Sequence, residues 1–90
     1  MPEPALPPDE RPEAVIAGTL CLMSCYVQHP APIYAERVAA NLERMTHLPA
    51  LSAELRSICR RLSARWQVLR GEADARALAR EEVPDARRLH

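Results

Sequence analysis

Between Ala14 and Val27 the chain runs AVIAGTLCLMSCYV without a charged residue, and the segments that follow it alternate apolar and charged positions at helical spacing. That contrast organises the chain into three helices. The first is expected from Pro12 to His29. Arg11 or Asp9 precedes it, Pro12 suits a first-turn position, and Glu13 suits the positive end of the helix dipole. Pro30 and Pro32 stop it, because the residue before a proline is pushed out of the α region. Pro32 can then open a second helix reaching Thr46.

In that second helix Tyr34, Val38, Leu42 and Met45 share a face with Ala35 and Ala39 beside them, while Glu36, Arg37, Glu43 and Arg44 cover the other side. The third is the plainest. Leu55, Ile58, Cys59, Leu62, Trp66 and Leu69 form one stripe, Ser52 is a natural N-cap, and Gly71 after Arg70 suggests a stop. The remaining segment, 71–90, is rich in alanine and charge but poor in large apolar groups. It predicts a weak, fraying fourth helix ended before Pro84. The expected fold is therefore all-α, an up-down-up three-helix bundle over residues 12–70. An extended segment (residues 1–11, with prolines) precedes it and a charged tail follows.

The first helix is the unusual one. On a helical wheel Val15, Ile16, Thr19, Leu20, Leu22, Met23, Tyr26 and Val27 make a bulky face. Ala14, Ala17, Gly18, Cys21, Ser24, Cys25, Gln28 and His29 make a small one. A helix apolar all round is expected to be covered all round. Two partner helices can cover the bulky face. The small face suits a close helix–helix approach, so Ala14, Ala17, Gly18, Cys21, Ser24 and Cys25 are the candidate interface of a homodimer, first helix against first helix. Fourteen uncharged residues fall short of the about twenty needed to span a bilayer, so a membrane role is not expected.

Composition narrows the chemistry. Ninety residues make one small domain with a thin stability margin, for which oligomerisation is a common supplement. The 12 acidic and 12 basic residues cancel, and every basic residue is arginine. With abundant alanine and proline, this points to a GC-rich bacterial genome. Three cysteines form no secreted framework, and Cys21 and Cys25 lie too far apart on one helix to bridge, so a reducing cytoplasm is expected. The N-terminus has neither the basic nor the apolar region of a signal peptide.

Three chemistries remain to be weighed. Cys21, Cys25 and His29 fall one turn apart and could ligate zinc or copper(I), with His47 or Cys59 as a fourth donor. One straight helix converges poorly on a tetrahedral ion, however, and cysteine packs readily as a small hydrophobe, so no metal or other cofactor is expected. Arg56, Arg60 and Arg70, with Ser63 and Gln67 between them, line an edge of the third helix that could meet phosphates. The link THLPALS lacks the short glycine turn of a helix-turn-helix, and the net charge is zero, so nucleic-acid binding ranks second. His29 and His47 sit at helix C-termini, where an imidazole serves the helix end. No nucleophile or acid stands with them, and no catalytic residue is assigned. The leading expectation is a small non-enzymatic interaction or adaptor protein, a cytoplasmic homodimer with a further protein partner that the residues do not name.

Overall fold

A computed structural model describes the backbone of residues 11–88 and the side chains of residues 11–80. Three helices account for the fold, with no strand among the described residues: α1 (Pro12–Gln28), α2 (Pro32–Thr46) and α3 (Ala53–Arg88). The extended segment expected over residues 1–11 lies outside the described residues except for Arg11, which is the N-cap of α1.

The helix ends follow from local chemistry. Pro12 and Pro32 stand in the first turns of α1 and α2, where a missing N–H costs nothing. His29 caps α1, its N–H donating to the Cys25 carbonyl at 2.8 Å. At the start of α3 the Ser52 Oγ accepts a hydrogen bond from the Leu55 N–H at 3.1 Å, as an N-cap serine should.

α2 is the centre of the molecule. Ala35, Val38, Ala39, Leu42, Met45 and Thr46 are all buried, and Val38 and Ala35 are wholly inaccessible. The core gathers Val15 of α1, Val38, Leu42 and Met45 of α2, Leu51 of the connection and Cys59 of α3. Ile16, Leu22, Met23, Leu48, Leu55, Leu62 and Trp66 pack around them. α1 lies beside α2, where Ala14, Gly18 and Leu22 line an open groove with Arg37, Asn41 and Arg44. α3 meets α2 through Ser63, whose hydroxyl donates to Glu43 Oε2 at 3.4 Å. The three helices thus run up, down and up, with α2 packed on both neighbours. The buried Thr19 and Thr46 hydroxyls donate to the carbonyls of Val15 and Leu42, at 2.7 and 2.9 Å, so neither is stranded in the core.

The C-terminal segment differs from the expectation. Gly71 does not end a helix: α3 runs on through it and past Pro84, in one element of 36 residues, about 54 Å at ~1.5 Å per residue. The backbone at Gly71 does not enter the left-handed region that a glycine cap requires. The helix formers after it, and the contacts they make, outweigh the cost of about 1 kcal/mol for a glycine within a helix. Ala73 is buried, and Arg76 donates from its guanidinium to the Tyr26 hydroxyl of α1 at 3.1 Å. The Tyr26 ring in turn meets Trp66 edge-to-face, centroids 5.2 Å apart. The weak fourth helix is therefore the second half of α3.

Candidate interaction surfaces

α1 is the most apolar helix and the least covered. Only Val15 and Thr19 are buried along its 17 residues. Leu20 is 61 % exposed and Val27 81 %, although both were assigned to the bulky, core-facing side. The covering helices reach Val15, Thr19, Leu22 and Tyr26, an arc centred away from Leu20 and Val27, so these two stand outside with the small residues. The correction enlarges the open face. Ala17, Leu20, Cys21, Ser24, Cys25, Val27 and Gln28 all reach solvent, and none carries a charge.

The six interface candidates divide. Ala17, Cys21, Ser24 and Cys25 lie on that open face. Ala14 and Gly18 are half-buried at its edge, where they line the groove with α2. At Gly18 a Cβ would meet nothing within 4 Å, so nothing packed inside this chain requires a glycine there.

The candidate metal ligands are not brought together. Cys21, Cys25 and His29 are exposed along one helix, and the His29 ring lies edge-on to Tyr34 with centroids 6.4 Å apart. Among the described residues no group of three histidine, cysteine or acidic side chains is placed to hold a metal ion. Cys59, considered as a fourth donor, is buried in the core, where desolvation raises its pKa above the usual thiol value. His47 instead lies 3.2 Å from Glu43 Oε1 on the surface of α2.

The arginine edge of α3 is interrupted. Ser63, placed on it by the wheel, is buried against α2 and bonded to Glu43, and Arg56 is half-buried. Arg60 and Arg70 are exposed, as are Arg61 and Arg65 around the turn, and none of the four has an ion-pair partner among the described residues. Arg61 and Arg65 border a shallow depression floored by Ile58 and Leu62.

Two features escaped the sequence reading. One is the Tyr26–Trp66–Arg76 cluster, which joins α1 to the part of α3 beyond Gly71. The other is an apolar seam on the outside of α3, in which Val68 is 62 % exposed and Leu78 61 %. Its signal was present as a three-four spacing, but the core stripe on the opposite side of the same helix masked it. No helix among the described residues is long and apolar enough to cross a membrane. Compared with protein-family models, characterised proteins and solved structures, the chain matches none.

Proposed function

We propose that this chain is a small non-enzymatic interaction protein, an adaptor that works as a homodimer with the outer face of α1 set against the same face of a second copy. The observation that carries the reading is the uncharged, solvent-facing surface of α1, with Leu20 and Val27 exposed in a helix whose other side already packs on α2 and meets α3 through Tyr26. An apolar surface left open on a small soluble domain marks a site of association. Covering Leu20 and Val27 contributes about 1.5–3 kcal/mol per side chain, and two-fold symmetry counts each twice. Ala17, Cys21 and Ser24 between them are small enough to let the paired backbones approach.

Sedimentation velocity over a concentration series tests this reading. The wild-type chain should associate through α1, and Leu20→Glu or Cys21→Arg should abolish that contact without loss of helix content. An unchanged mass in both variants would remove the proposal.

A second reading takes the exposed Arg60, Arg61, Arg65 and Arg70, which have no ion-pair partner among the described residues, as phosphate contacts of a nucleic-acid-binding dimer. It stands behind the first because Ser63 is buried against α2 and Arg56 is half-buried, which breaks the edge. A low-salt gel shift with random duplex DNA, lost in Arg60→Ala/Arg70→Ala, is what this reading requires.

A further inference from the structure

On the side of α3 turned away from α2, Ala64, Val68, Gly71, Ala75 and Leu78 follow one another at alternating spacings of four and three residues, and all five are exposed. This is the spacing of a two-helix seam. Gly71 stands at its middle, where a Cβ would meet nothing within 4 Å. A glycine inside a long helix costs stability, and no neighbour among the described residues requires one here, but it lets another helix come close.

The charges beside the seam are unevenly divided. Arg60, Arg61 and Arg65 flank its N-terminal half, and Glu72 and Asp74 flank its C-terminal half. All five are exposed, and none forms an ion pair among the described residues. A surface basic at one end and acidic at the other complements itself when inverted.

We propose that a second copy of this chain docks on this seam, the two α3 helices pairing antiparallel about a two-fold axis beside Leu69 and Arg70. In that register Val68 lies against the partner's Gly71, and Ala64 against the partner's Ala75. Leu78 is covered by the aliphatic stem of the partner's Arg61. Arg65 then faces the partner's Glu72, and Gln67 faces the partner's Asp74. Charges of this kind set orientation in paired helices. The parallel alternative would set Arg60 against the partner's Arg65 and repeat that repulsion by symmetry. The α3 seam is independent of the α1 face: either alone yields a dimer, and the two together yield a larger assembly.

The experiment is sedimentation velocity of the full chain, with circular dichroism to confirm helix content. Leu20→Glu serves as the background, because it removes the α1 contact at an exposed position. This variant should still dimerise. Adding Arg65→Glu places two like-charge contacts in each pair and should weaken dimerisation by about tenfold. Adding Glu72→Arg to that variant should restore it. A monomeric Leu20→Glu chain, no effect of Arg65→Glu, or no recovery with Glu72→Arg would each overturn the α3 pairing. If the wild-type chain and Leu20→Glu are both dimers, the α1 contact falls and the α3 pairing stands.

Discussion

Replacing Gly71 by alanine distinguishes a continuous α3 from one broken at residue 71, and the two arrangements predict opposite signs. Within a helix, alanine is favoured over glycine by about 0.5–1 kcal/mol, because it loses less backbone entropy on folding. The added Cβ at Gly71 meets nothing within 4 Å, so no steric cost offsets that gain. For a domain of this size, 1 kcal/mol corresponds to a shift of roughly 4–8 °C in Tm. The expected result is therefore a rise of several degrees, measured by thermal unfolding in dilute protein where self-association is negligible. Were Gly71 a left-handed cap, alanine there would instead be destabilising by about 1–2 kcal/mol. A fall in Tm would thus refute the continuous helix and restore the stop expected from the sequence. Gly18→Ala is the companion measurement: the site is helical and equally open, so the same gain is expected. At high concentration the Gly71→Ala gain should shrink, since the close approach proposed at the seam tolerates a methyl less well than solvent does.

Other outcomes follow from burial and geometry. Leu42 is 2 % exposed at the centre of the core, so Leu42→Ala should cost about 2–5 kcal/mol by urea titration, a large fraction of what so small a domain can have. Of the three thiols, Cys21 and Cys25 should react promptly with an aromatic disulfide reagent, whereas buried Cys59 should react only at the rate of unfolding; three equally fast thiols would contradict the core. Burial raises the Cys59 pKa above its usual 9.0, so the folded chain holds that proton more tightly than the unfolded one. The resulting stability is complete below pH 9.0 and declines as pH rises through the folded-state value, a trend that Cys59→Ala should flatten. Tyr26→Phe removes the acceptor of the Arg76 hydrogen bond but keeps the ring on Trp66. It should raise amide exchange beyond Gly71 more than in α2.

Much of this architecture was legible because it rests on local chemistry. Pro12, Pro32 and Ser52 mark three helix starts through a missing donor or a well-placed hydroxyl, and they do so whatever the rest of the chain does. The buried side of α2 was legible because charged residues occupy the opposite side. The sequence pattern of α1 does not orient it. A helix without a charged residue from Ala14 to Gln28 has no polar face to declare which way is out, so Leu20 and Val27 were grouped by size with residues they do not join. Ser63 failed differently. A serine beside arginines reads as surface, and only the position of Glu43 on α2 shows that its hydroxyl has a partner in the interior. Beyond Gly71, α3 buries Ala73 and bonds through Arg76 to Tyr26, 50 residues away along the chain, and no local pattern carries that information.

The distribution of apolar surface is where fold and function meet. α2, with charged residues along one side, supplies most of the core, while α1, with none between Ala14 and Gln28, buries only Val15 and Thr19. Had the chain been shaped to be stable alone, the opposite arrangement would be expected, with α1 in the middle and α2 at the edge, because that covers more apolar area for the same residues. Placing the charged helix inside and the uncharged one outside leaves stabilisation unrealised in the monomer and available on association. The outer stripe of α3 repeats the pattern, since Val68 and Leu78 project from a helix that already has a full apolar side against α2. Each surface by itself has an ordinary explanation in surface variability, but both lie on helices that flank α2, and each has a glycine, at the edge of one and the middle of the other, where a Cβ would meet nothing within 4 Å. The core is small because part of the apolar surface is directed outward, and under the proposed association that surface would add to the stability of the fold.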